Sequence, residues 1–165
     1  AQCSNSACTG TATTTTVDDP ANIVGADSDI AVGADGTPVV SYWDQTAAAL
    51  KVAKCLDAAC NGPATITTVD DRDNSVGYYT SIAVGTDGNP IVSYWDATAG
   101  ALMVARCANP ACTGTATITT VDNPPTSVGL HTAIAIGADG LPVVSYFDTS
   151  AGLLKVARCG SRSCR

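Results

Sequence analysis

The stretch SIAVGTDGNPIVSYWD, Ser81 to Asp96, decides the fold, because it occurs three times. An earlier copy, DIAVGADGTPVVSYWD, runs from Asp29 to Asp44, and a later one, AIAIGADGLPVVSYFD, from Ala133 to Asp148. The step is 52 residues both times, with no insertion or deletion. The cysteines keep that step, as Cys3, Cys55, Cys107, Cys159 and as Cys8, Cys60, Cys112, Cys164. A fixed period of this size means one supersecondary unit repeated, each copy covering the apolar face of the next.

Each copy contains two expected strands. In the first they are Ile30 to Val32 and Pro38 to Trp43, with Asp35-Gly36 between them. Asp-Gly between apolar runs is a hairpin signal, since glycine supplies the positive φ that the turn needs. Asp87-Gly88 and Asp139-Gly140 repeat it. Pro38, Pro90 and Pro142 fall at strand starts, where a missing N–H costs little. After Asp44, Asp96 and Asp148 come small-residue loops, then LKVAKC, LMVARC and LKVARC as a third strand. A Cys-x4-Cys link leads to a β-branched run, Thr11–Asp18, Ala64–Asp70 or Ala116–Asp122, read as a fourth strand. Polar loops with Pro20, Pro124 and Pro125 follow these runs. No segment has a helical period.

Composition narrows the function. All fifteen acidic residues are Asp, Lys and Arg total eight, and the net charge is -7. That balance argues against nucleic acid as a partner, and no apolar stretch is long enough for membrane insertion. Eight cysteines in four Cys-x4-Cys pairs point to disulfides and an oxidising compartment. Zinc is the alternative, although its knuckles are commonly tighter and His131 is the only histidine. A bridge such as Cys55–Cys60 would add roughly 2 kcal/mol in the chain-entropy view. The chain starts at Ala1 rather than Met and is expected to be a mature, secreted form.

A four-stranded antiparallel unit of this length is the size of a β-propeller blade. The residues DGTPVVSYWD and LKVAKC resemble repeats of secreted bacterial proteins in the broad sialidase-like (BNR-type) propeller group. The Asp-box of that group, Ser-x-Asp-x-Gly-x-Thr-Trp, is absent, and no catalytic residue carries over. The resemblance implies an all-β fold of three tandem 52-residue four-stranded antiparallel blades in one repeat domain, residues 1–165. The repeats run approximately 3–54, 55–106 and 107–158, with 159–165 opening a fourth. The chain begins with a fourth strand and ends with a third. Strand exchange between the termini, or between chains, would complete the last blade.

Antiparallel connectivity places the Asp-Gly hairpins at one end of each blade and the aromatic, variable loops at the other. The second end holds the candidate binding residues Asp27, Tyr78, Tyr79, His131, Trp43-Asp44, Trp95-Asp96 and Phe147-Asp148. The repeated Asp reads either as a ligand to Ca²⁺ or a sugar hydroxyl, or as a loop cap accepting backbone N–H bonds. Trp43, Trp95 and Phe147 either stack on sugar rings or fill gaps between blades. His131 stands where the other repeats have Asp27 and Tyr79, and nothing in the sequence supplies it with a catalytic partner.

Three function classes follow. The first is a structural protein that assembles with itself through its complementary terminal strands. The second is a lectin-like module for glycans on the loop face. An enzyme ranks last and is not expected, since there is no Glu, one His, no Gly-x-Ser-x-Gly elbow and no phosphate loop. No cofactor is expected beyond a possible Ca²⁺.

Overall fold

The computed structural model describes residues 3, 5–7, 9–72 and 75–165. Among them eleven strands form three separate antiparallel sheets. The first sheet contains β1 (Val24–Val32), β2 (Pro38–Asp44), β3 (Ala49–Cys55) and β4 (Ala64–Asp70), hydrogen-bonded in that order. The second contains β5 (Val76–Val84), β6 (Pro90–Asp96), β7 (Ala101–Arg106) and β8 (Thr117–Asp122). The third has three strands only, β9 (Val128–Ile136), β10 (Pro142–Asp148) and β11 (Leu153–Arg158).

The hairpins form as their turn residues require. Gly36 N–H bonds to Gly33 O at 2.9 Å, and Gly36 sits at φ 78°, a region open to glycine. The Asp35 carboxylate accepts the Thr37 N–H across the turn, and Asp87 and Asp139 repeat this with Asn89 and Leu141. A cation from the end of each third strand reaches the same carboxylate: Lys54 for Asp35, Arg106 for Asp87 and Arg158 for Asp139.

The sheets pack face against face through two buried clusters. Val39, Leu50 and Val52 of the first sheet join Val76, Ile82, Val92, Tyr94 and Ala105 of the second. Ile91, Leu102 and Val104 of the second join Val128, Val144 and Tyr146 of the third, with Ile134 and Ala157 partly buried beside them. The two clusters use equivalent residues one repeat apart. Each fully buried Val or Leu contributes about 1.5–3 kcal/mol. The inner strands β1, β5 and β9 lie side by side and are joined by side chains rather than by a ladder. Ser81 Oγ donates to Asp29 Oδ2 at 2.7 Å and accepts the Ile134 N–H at 3.3 Å.

Four expectations change. β1 starts at Val24 rather than at Ile30, and β5 and β9 are lengthened in the same way, because a bulge carries the inner strand through what reads as a polar loop. The run Thr11–Asp18 makes no strand; Thr13 alone forms an isolated bridge. Among the described residues no third strand lies beside it as β3 and β7 lie beside β4 and β8, so its backbone has no ladder to join. Strand exchange between the termini is absent: β11 has no outer partner among the described residues. The N-terminal run instead lies against the first sheet, held by Tyr42 Oη–H to Asp18 Oδ2 at 2.6 Å. The third sheet therefore has three strands and not four.

The cysteines close short turns. Cys55–Cys60, Cys107–Cys112 and Cys159–Cys164 are disulfides, with Cα separations of 5.2, 4.8 and 4.4 Å. Cys60, Cys112 and Cys164 take φ of 54°, 58° and 55° to make the turn. The expected Cys3–Cys8 bridge lies outside the described residues, since Cys8 is not among them. Three disulfides fit an oxidising environment. No helix among the described residues is long and apolar enough to cross a membrane.

Candidate functional site

The bulge in each inner strand sets one residue in the left-handed region: Asp27 at φ 49°, Tyr79 at 51° and His131 at 51°. Glycines precede them two positions earlier, Gly25, Gly77 and Gly129, also at positive φ. Gly77 and Gly129 have no room for a side chain. A Cβ on Gly77 would sit 2.8 Å from Leu50 Cα, and one on Gly129 2.7 Å from Leu102 Cα. The glycine lets each inner strand press on the preceding sheet, and the bulge then turns the next side chains outward.

Five of the candidate rings meet there. Trp43 and Tyr78 have centroids 3.8 Å apart, and Tyr78 and Trp95 meet edge-on at 5.7 Å. Tyr79 lies 6.0 Å from Trp95 and 4.3 Å from His131. The result is one row, Trp43, Tyr78, Trp95, Tyr79, His131, running across all three sheets. Asp27 joins it at Tyr79, with Oδ2 accepting the Tyr79 N–H at 3.2 Å. The four aromatic rings are half-buried, while Asp27 and His131 are exposed. The indole N–H groups of Trp43 and Trp95 are buried without a protein acceptor, so these rings turn apolar surface outward.

The other candidates lie apart. Phe147 is on the third sheet, 37% exposed and outside the aromatic row, with no further sheet beside it among the described residues. Asp44, Asp96 and Asp148 are buried in their own loops. Asp44 Oδ1 accepts the Ala47 N–H, Asp96 Oδ1 those of Thr98 and Ala99, and Asp148 Oδ1 those of Ser150 and Ala151. Lys51 pairs with Asp44 at 2.8 Å and Lys155 with Asp148 at 2.7 Å. The Lys155 ammonium, then the Ser150 hydroxyl and the Ala151 N–H, hold the Asp148 carboxyl below the usual range. For Asp44, burial pushes upward but is outweighed by Lys51 and the Ala47 N–H, and the carboxyl is lowered. These oxygens are already engaged with protein donors. Among the described residues, no group of three or more His, Cys, Asp or Glu converges as a metal site.

A second repeated set escaped the reading of the sequence. Tyr42, Tyr94 and Tyr146 donate to Asp18, Asp70 and Asp122, each at 2.6 Å and each 24 residues apart. The constant Asp-to-Tyr offset was its visible signal. In the second sheet Met103 replaces the lysine of the other two, and Arg72 holds Asp70 through both carboxylate oxygens at 2.8 and 2.7 Å.

No family model and no curated protein matches the chain. Solved structures do. An α-L-arabinofuranosidase from Lactobacillus brevis aligns with a TM-score of 0.58 at 11% identity, over 84% of this chain and 50% of that one. A bifunctional GH43-CE protein of Bacteroides eggerthii aligns with a TM-score of 0.55 at 13% identity, over 90% of this chain and 21% of that one. The chain thus spans half or less of each. At such identities the likeness is one of fold, an all-β, propeller-like arrangement of antiparallel sheets. It supports the propeller part of the resemblance and leaves the sialidase-like part without support.

The expectation that the chain is not an enzyme is corrected here. The two solved structures named above, whose fold it shares, are glycoside hydrolases. The absence of local motifs carried that expectation, and such motifs belong to other chemistries. Cleavage of a glycosidic bond rests on carboxyl groups brought together in space, and no short sequence pattern reports them.

Proposed function

We propose that the chain binds carbohydrate along the row Trp43, Tyr78, Trp95, Tyr79, His131. The continuity of that row across three sheets carries the reading. A sugar ring has an apolar C–H face and a rim of hydroxyls, and half-buried Trp and Tyr present matching apolar surface at low entropic cost. Asp27 and His131 both lie against Tyr79 and supply polar groups for the rim. An extended row suits an oligosaccharide better than a single sugar, because adjacent weak contacts on one chain combine. The disulfides agree with work outside the cell, where polymeric glycans are met.

Both tryptophans of the chain, Trp43 and Trp95, belong to the row, so intrinsic fluorescence reports on it directly. A glycan array identifies the oligosaccharide, and titration with it shifts the tryptophan emission. Tyr79→Ala and Trp95→Ala each weaken binding about tenfold or more, the loss of a stacking contact of about 1.4 kcal/mol or above. An array without a positive, or binding that both variants leave unchanged, refutes the reading.

A further inference from the structure

The outer face of the third sheet and the outer face of the first are the two halves of an interface that the chain already makes twice. Leu50 and Val52 of the first sheet are fully buried against the second, and so are Leu102 and Val104 against the third. Their equivalents on the third sheet, Leu154 and Val156, are 78% and 63% exposed. On the opposite side, Ile82 of the second sheet is 5% exposed, while Ile30 of the first, its equivalent, is 61% exposed.

The space that a preceding sheet would fill is present on the first sheet. Two clefts of about 280 and 200 Å³ lie between the N-terminal run and Ile30, Val40, Tyr42 and Ala53. One repeat later, Ile82, Val92, Tyr94 and Ala105 share a buried cluster with Leu50 and Val52. Asp18 is seated on Tyr42 as Asp70 is on Tyr94 and Asp122 on Tyr146. The N-terminal run thus sits in the place of an outer strand with no sheet of its own beside it, and β11 has no outer partner, among the described residues.

We infer that a second copy of this chain docks head to tail, its first sheet on the third sheet of its partner. Leu154 and Val156 enter the clefts of the partner, and the partner's run 12–18 pairs with β11. The register follows from the pairing of β3 with β4, where Leu50 faces Asp70, Lys51 Thr68, Val52 Thr67 and Lys54 Thr65. Shifted by whole repeats, Leu154 faces Asp18, Lys155 Thr16, Val156 Thr15 and Arg158 Thr13 between the copies. The contact is heterologous, so it propagates until a ring closes or a fibre forms. It also covers an apolar face and the open edge of β11 together.

Light scattering on a sizing column, over a concentration series of the oxidised chain, tests this. The expected mass is a multiple of 16.5 kDa. Leu154→Asp and Ile30→Asp, both at exposed positions, each reduce it to one chain, with circular dichroism unchanged. Each variant keeps one intact face, so an equimolar mixture of the two gives a dimer and nothing larger. Hydrogen exchange supplies the register: amides of β11 and of residues 12–18 gain protection together on assembly, and not in Leu154→Asp. A parent of 16.5 kDa throughout the series overturns the inference. So does assembly indifferent to either variant, a mixture that stays monomeric, or protection of residues 12–18 in the monomer, which would mean closure within one chain.

Discussion

Tyr94 donates its hydroxyl to Asp70 Oδ2 at 2.6 Å, joining the second sheet to the last residue of β4 in the first. The bond is buried and charge-assisted, and it recurs at both other repeats. It is the point at which β4 and β8 are locked onto the following sheet, and at which the N-terminal run is held on the first. Arg72 adds a second hold on Asp70, and the Arg72 guanidinium is raised above its ordinary value by that carboxylate.

Removing this hydroxyl should show its weight. Tyr94→Phe is expected to cost about 1–3 kcal/mol in urea unfolding, because a buried carboxylate loses a donor. Tyr42→Phe, whose bond is only partly buried, costs less. Equal effects at the two sites would contradict this account.

Alkaline titration reads the same bonds. Burial, together with the charge of and the hydrogen bond to Asp70, pushes the Tyr94 phenol well above its ordinary value, and burial and Asp122 do the same for Tyr146. A phenol with a raised folded pKa stabilises the fold below the unfolded value of about 10 and loses that contribution as pH rises beyond it. Part of the phenolate absorbance should therefore appear in one step with the loss of circular dichroism, and a titration complete before unfolding would refute this.

Acid has the opposite sign. Lys54 and the Thr37 N–H lower the Asp35 carboxyl to about 2, and Asp148 is lowered mainly by Lys155. A carboxyl with a depressed folded pKa stabilises fully above its unfolded value and loses that contribution as pH falls toward the folded one. The urea midpoint should fall between roughly pH 4 and pH 2 and be flat above. Lys155→Met, which copies Met103 of the second repeat, should flatten that fall.

Two of the three bulge glycines, Gly77 and Gly129, have no room for a methyl. Gly129→Ala would place a Cβ 2.7 Å from the Leu102 backbone at φ 97°, and about 2 kcal/mol or more of destabilisation is expected. Gly25→Ala has the same strain at φ 89° but nothing within 4 Å, so it should cost less. Thermal unfolding of the pair separates strain from crowding.

Asp29 binds the first inner strand to the second. Asp29→Ala leaves the Ile82 N–H without its 2.9 Å acceptor and should cost about 1–3 kcal/mol. A change within error would mean that apolar packing alone sets the spacing of the inner strands.

The repeat, the three Asp-Gly hairpins, the positions of most strands and the short disulfide turns were legible in the chain, because each depends on residues close in sequence. Alternation of apolar side chains and a glycine at a turn are local signals. The end of the sheets that carries Trp43, Tyr78, Trp95, Tyr79 and His131 was legible too, since antiparallel connection sorts loops by parity.

Only the tertiary structure decided which of these residues meet. Trp43 touches Tyr78 because the first sheet packs on the second, and Asp44 is removed from the outer surface because its loop folds over the carboxylate. The inner strand runs longer than its apolar pattern because a bulge, allowed by glycine and by contact with the sheet before it, reverses the alternation. The run Thr11–Asp18 has the composition of β4 and β8 but makes no strand. A strand needs a neighbouring backbone to take its hydrogen bonds, and no property of the run itself supplies one.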